Sequence, residues 1–218
     1  MDELIVRVLR TVACVPRLRI LSRLGGGEEL TLSRLAGALH LRRDLVCTHL
    51  ARLSAVGLVR RRRSGRRCFC IAGSPYGPGT VSGQVASWLG DALRSQGALP
   101  HQAHPPERRG KHATDGLQPI YGTLMDAATA FTHPRRIQIL RRLASPRPAF
   151  TREFTRELRM SAPALNRHLA KLIRRGYVSA EGARGHLSYR LAPTAKTPQH
   201  AQLLEIVQEH WGEQAPSA

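Results

Sequence analysis

Acidic side chains are scarce in this 218-residue chain, with 15 Asp and Glu against 34 Lys and Arg. The formal charge of +19 points to a polyanionic partner, nucleic acid before any other. Aromatic residues are also few, at 5%, which argues against a reader of single strands that stacks bases on aromatic platforms. Lysine is nearly absent: 31 of the 34 basic residues are arginine, whose planar fork suits bidentate phosphate contact. The four cysteines, Cys14, Cys47, Cys68 and Cys70, lack the spacing of a disulfide framework, as expected in a reducing cytoplasm. No apolar run approaches the roughly 18 residues that cross a bilayer, so no membrane partner is expected. The opening MDELIVRVLR begins acidic and carries Arg7 and Arg10, unlike a secretory signal. Gly25-Gly26-Gly27 is not followed by Lys-Ser/Thr, and no Ser or Cys nucleophile sits in a motif with a base. No enzyme, catalytic residue or cofactor is therefore expected.

What the chain does have is concentrated in Asp44 to Arg67, DLVCTHLARLSAVGLVRRRRSGRR. Leu45, Val46, His49, Leu50 and Leu53 recur at helical spacing and predict a helix burying that side. Gly57 ends the helix, Leu58-Val59 begins a strand, and Ser64-Gly65 turns the chain into the return strand Cys68–Ile71. A helix followed by a basic hairpin is the layout of a winged helix, so the fold class expected is mainly α with small β-hairpin wings. Ahead of it lie a helix over Leu4–Cys14, a second over Arg17–Leu24, and a short one capped by Thr31 that buries Leu32, Leu35 and Leu39. A helix over Val81–Leu93 follows the wing. Residues 97–117, rich in His, Pro and Gly, read as a flexible linker.

The pattern then recurs: helices over Pro119–Phe131, Arg135–Leu143 and Thr151–Leu158, a recognition helix capped by Ser161, a hairpin over Tyr177–Leu191 turning at Gly182 to Gly185, and a closing helix over His200–Trp211. Residues 18–59 superpose on 137–178 without a gap, with 11 identities in 42 positions. His49/His168, Gly57/Gly176 and Val59/Val178 keep the end of the helix and the start of the wing in register, and this predicts an internal duplication. The domains expected are 1–96 and 118–212, with a disordered tail over 213–218.

Both repeats resemble the arsenic-repressor (ArsR-type) winged-helix regulators. The resemblance rests on VPRLRIL and HPRRIQIL in the second helix, and on DLVCTHLARLSAVGLV and APALNRHLAKLIRRGYV through the recognition helix. The first copy departs by having Thr48 where arginine is common before the histidine. The resemblance implies a DNA-binding transcriptional regulator, a repressor that occludes its promoter. It also implies dimerisation through first and last helices, so one chain looks like two subunits fused, a pseudo-dimer. The alternative is a homodimer of chains in which one repeat pairs and the other stays free. Two other functional readings remain: a tandem winged-helix adaptor that binds protein, and a nonspecific nucleoid or RNA binder.

The groove-facing candidates in the first repeat are Arg42, Arg43, Asp44, Cys47, Thr48 and Arg52. Some of these arginines contact phosphate or only solvate an exposed face, because most protein–DNA bonds go to the backbone. Arg60, Arg61, Arg62, Arg63, Arg66 and Arg67 are the densest charge run and are assigned to phosphate or the minor groove. The second repeat offers Ser161, Asn166, Arg167, Lys171, Arg174 and Arg184, with Ala162, Pro163 and Ala164 at its entry end. That asymmetry predicts an imperfect palindrome as the recognised site. His49 and His168 read as packed, hydrogen-bonded core residues. Cys68 and Cys70 share one side of a strand and are weak candidates for a soft metal, better read as small buried hydrophobes. His200 and His210 are too far apart to share a helical face, and His101, His104 and His112 are linker filler.

Overall fold

A computed structural model describes residues 1–65, 67–95, 119–145, 147–182 and 187–211. The predicted linker and tail, Arg66, Arg184 and most of the second hairpin turn lie outside the described residues. The fold is α+β, ten helices and two small antiparallel sheets of three strands each among those residues. Two compact units form: Cys14–Met125, and Met1–Ala13 together with Asp126–Ala218.

In the Cys14–Met125 unit, α2 (Val15–Leu24) carries Pro16 in its first turn, where no helical N–H is lost. After β1 (Leu30–Thr31), the Thr31 hydroxyl accepts from the Arg34 N–H at 3.3 Å and starts α3 (Leu32–Leu39). His40, at φ 52°, makes the left-handed turn into α4 (Arg43–Ala55). α4 buries Val46, His49, Leu50 and Leu53, and Gly57 at φ 67° releases the chain into β2 (Val59–Ser64) and β3 (Arg67–Ala72). The sheet order is β1-β3-β2, with Val59 opposite Ala72 and Ser64 opposite Arg67. α5 (Val81–Arg94), capped by the Thr80 hydroxyl, packs back on α2 and buries Val85, Trp88 and Leu89.

The other unit is built the same way. α7 (Pro134–Leu143) begins where the His133 ring Nδ1 accepts from the Arg135 N–H at 3.1 Å. Then follow β4 (Ala149–Phe150), α8 (Thr151–Glu157), α9 (Ala162–Arg174), β5 (Val178–Glu181), β6 (Ser188–Leu191) and α10 (Pro198–Glu209). The sheet order is β4-β6-β5. Arg159, at φ 48°, turns α8 into α9 at the position matching His40, and Gly176 at φ 75° matches Gly57. Among the described residues these are the two non-glycines with positive φ. α6 (Pro119–Thr129) reaches this unit through its last turns: the Tyr177 hydroxyl donates to the Ala127 carbonyl at 3.3 Å, and the Tyr177 ring meets Phe131 edge-on at 4.9 Å. Asp126 on the same turn pairs with Arg175 and Lys196.

The helix α1 (Asp2–Val12) belongs to this second unit. It packs on α7, Asp2 pairs with Arg141 at 2.5 Å, and the Arg10 Nε donates to the Thr132 carbonyl at 2.8 Å. Ile5, Val8, Leu9 and Val12 along its inner stripe are fully buried.

Three expectations need correction, and two strands were not expected. Leu45 is exposed rather than buried, because it falls outside the arc that Val46, Leu50 and Leu53 turn inward. Leu32 is only half-buried, and Ala36 takes its place beside Leu35 and Leu39. Ser161 stands at the N-cap of α9, but its side chain makes no cap bond. The two-residue strands β1 and β4 are too short to leave a periodic signal.

Candidate nucleic-acid interface

The exposed arc of α4 carries Arg42, Arg43, Asp44, Leu45, Thr48 and Arg52, with Cys47 half-buried. Arg42 and Asp44 form a two-point pair at 3.1 and 2.8 Å, which holds the Asp44 carboxyl below the usual carboxylate range. The carboxylate at the entry end of the helix is thereby neutralised by its neighbour. The Thr48 hydroxyl donates to the Asp44 carbonyl at 3.0 Å, leaving its oxygen lone pairs for an outside donor. Arg43 and Arg52 make no ion pair among the described residues.

The wing divides by strand alternation. Arg60 and Arg62 share one face with Phe69 and Ile71; Arg61 and Arg63 share the other with Cys68 and Cys70. Arg62 is held twice by Glu29, at 3.2 and 2.5 Å, and its guanidinium lies 5.0 Å from the Phe69 ring centre. Arg62, assigned with its neighbours to phosphate or the minor groove, is thus already paired within the chain. The cause is β1: it pairs Thr31 with Phe69, and this carries Glu29 to the side of the wing. Arg60, Arg61, Arg63 and Arg67 are exposed, and among the described residues none has an acidic partner.

Cys70 is buried, and burial with Cys68 beside it pushes its thiol up to about 11. Arg61 lies against Cys68, and Cys47 on α4 is close enough to act on Arg61 and Cys70. A protonated thiol is a poor ligand, and among the described residues no group of three or more His, Cys, Asp or Glu is arranged to hold a metal.

In the second unit Ser161, Asn166, Arg167 and Arg174 are exposed on α9 and Lys171 is half-buried. The structure brings Arg167, Lys171 and Arg174 together with His168, His133 and Arg136 around one cavity. His168 is thus a wall residue and not a core histidine; burial, then His133 and Arg136, hold its pKa down to about 4. His49 does pack into the core, but its Nδ1 has no hydrogen-bond partner, contrary to expectation. Burial, followed by Arg17 and Arg52, lowers its pKa and keeps the ring neutral. His200 is buried against the Tyr177 ring at 5.4 Å, its Nδ1 2.8 Å from the Thr197 hydroxyl. Leu45 and the Glu29–Arg62 pair went unseen in the sequence. A strict 100° wheel for α4 turns Leu45 outward, whereas the two-residue β1 that brings Glu29 to Arg62 leaves no such mark.

Residues 133–180, from the α7 cap through the first wing strand of the second unit, match the profile described as bacterial regulatory protein, arsR family. The segment is similar to the helix-turn-helix domain of that family. No curated protein matches the chain. Among the described residues no helix is long and apolar enough to cross a membrane.

Proposed function

We propose that this chain is a sequence-specific double-stranded DNA-binding transcriptional regulator, acting as a repressor by occluding its promoter in the cytoplasmic nucleoid. The observation that carries the reading is the surface of α4 and its adjoining wing. Arg43, Arg52, Arg60, Arg61, Arg63 and Arg67 are presented there with no acidic partner among the described residues. A recognition helix places base-reading side chains in the major groove, and an adjacent basic hairpin grips phosphate. Exposed Leu45 at the entry end suits a thymine methyl, and Thr48 either a base edge or a phosphate.

The two halves are read as a tandem duplication arranged as an intrachain pseudo-dimer. In-register left-handed turns at His40 and Arg159, and matching sheet orders, support the duplication. The allotment of Met1–Ala13 to the second unit, and of Pro119–Met125 to the first, supports an exchange of first helices between halves. The second half, with Ala162-Pro163-Ala164 at its entry end, contributes less base reading, so the two half-sites differ.

A genomic footprint of the purified chain supplies candidate sites, which are then titrated as matched and scrambled duplexes over a range of salt. Specific recognition gives an affinity ratio of roughly a thousand or more. A ratio near one would make it a nucleoid binder, and an absence of binding an adaptor; either result removes the proposal.

A further inference from the structure

A cavity of about 750 Å³ opens to solvent on the unit that contains α7 and α9. Its walls are His133 and Arg136 from the start of α7, and Arg167, His168, Lys171 and Arg174 from α9. Among the described residues no carboxylate lines it, and Arg167, Lys171 and Arg174 have no acidic partner. Arg136 is fixed in place by neutral acceptors only, the Ala130 carbonyl at 2.6 Å, the Thr129 carbonyl at 3.0 Å and the Thr132 hydroxyl at 2.7 Å. The His133 and His168 rings lie 4.6 Å apart. Because His133 Nδ1 already accepts from the Arg135 N–H, a neutral ring carries its proton on Nε2, as a donor.

The electrostatics of this hollow are one-sided. His168 is pushed down by burial and then by His133, Arg136, Arg167 and Arg135; the Lys171 ammonium is pushed down by burial and then by Arg174 and Arg136. Among the described residues every charged neighbour acting on these two groups is cationic. Like charges gathered in a concave surface repel one another unless a counter-charge joins them. The corresponding positions of the first half are Cys14, Arg17, Thr48, His49, Arg52 and Ala55, two fixed cations where the second half has four. The extra charge sits from Arg167 onward, while the entry end of α9 holds Ala162, Pro163 and Ala164.

We propose that this cavity is a binding site for a compact multivalent anion, a small molecule carrying two or more linked phosphate groups. Four guanidinium or ammonium groups on two helices exceed what one phosphate engages. The hollow has room for a linked pair of phosphates with part of their hydration. Occupancy covers Arg167, Lys171 and Arg174, which are also DNA-binding candidates of the second repeat, so anion and duplex compete. That competition rests on the DNA-binding reading; the anion site itself does not.

The full chain is titrated calorimetrically with inorganic pyrophosphate, and His168 is followed by imidazole NMR. One pyrophosphate binds per chain, and the His168 titration moves upward on saturation, because an adjacent anion favours the charged ring. Arg167→Gln with Lys171→Gln weakens binding by roughly tenfold or more, whereas Arg61→Gln with Arg63→Gln in the wing changes it by less than roughly threefold. Arg167→Lys with Lys171→Arg retains binding. Equal losses from the cavity and wing pairs, no saturation at one equivalent, or an unmoved His168 overturns the site. In a duplex titration pyrophosphate lowers affinity in the wild-type chain and not in the cavity variant; loss of all duplex binding beside an intact pyrophosphate isotherm removes only the competition.

Discussion

At Arg62 the chain spends an arginine on itself. Glu29 grips one edge of its guanidinium at two points and Phe69 lies against one face, so its charge is already answered before DNA arrives. Each phosphate neutralised contributes close to one unit to the salt dependence of binding. Arg61→Ala and Arg63→Ala should each flatten the plot of log affinity against log salt by about one unit, and Arg62→Ala by clearly less. Equal slopes for all three would place Arg62 on the backbone after all. Glu29→Gln should have the reverse effect, releasing Arg62 and steepening the slope.

His200 brings pH to the same scale. Burial first, then Lys196 and Arg175, hold its folded pKa near 4, below its ordinary value of 6.5. The unfolded chain therefore takes up the proton more readily, so the stabilisation is complete above pH 6.5 and is lost progressively toward pH 4. His168 adds to the loss in the same direction and window. The melting temperature should fall over that interval, and His200→Asn should flatten the fall. An identical pH profile for the variant would take His200 out of the account.

Among elements, the junction between α4 and the wing depends most on backbone geometry. Gly57 sits at φ 67°, and a Cβ added there would run into the Tyr76 ring. A left-handed conformation alone costs an ordinary residue about 1–2 kcal/mol. Gly57→Ala should therefore lose more than that in chemical denaturation, and adding Tyr76→Ala should restore the steric part only. Gly65 has φ 58° but open space around it, so Gly65→Asn should cost well under 1 kcal/mol by comparison. Full recovery in the Gly57→Ala/Tyr76→Ala pair would mean that φ carries no cost.

Most of this layer was legible before any coordinates. The helices announce themselves by apolar spacing and the wings by Gly57 and Gly176, because helical period and positive φ leave local marks in a sequence. Illegible were features that need a partner far along the chain. β1 is defined by its pairing with β3 and has two residues of its own, so Glu29 could not be placed beside Arg62. Likewise the cavity joins the start of α7 to one side of α9, and neither segment betrays the other. His168 was misread because the leucines and alanines next to it in sequence lie on other faces of the helix.

For the molecule as a whole, the placement of α1 matters most. Leu9 is fully buried in a helix that packs on α7, so Leu9→Ala should cost about 2–5 kcal/mol. The cost should fall on a particular region. Amide exchange should quicken in α7 and α9 while α2 to α4 keep their protection. Faster exchange confined to α2–α4 would contradict the assignment of Met1–Ala13 to the second unit.

The same arrangement sets an order of events on the ribosome. The stripe of Ile5, Val8, Leu9 and Val12 is translated more than a hundred residues ahead of the α7 surface that will cover it. At about 5–20 residues per second that is an interval of roughly 6–25 s. During it a nascent helix, greasy on one side, has no native place to go, which makes it a natural client for a chaperone. Slowing translation ahead of α7 should therefore lower the yield of soluble chain, and recoding Met1–Ala13 for lower hydrophobicity should relieve that loss at the expense of the folded state.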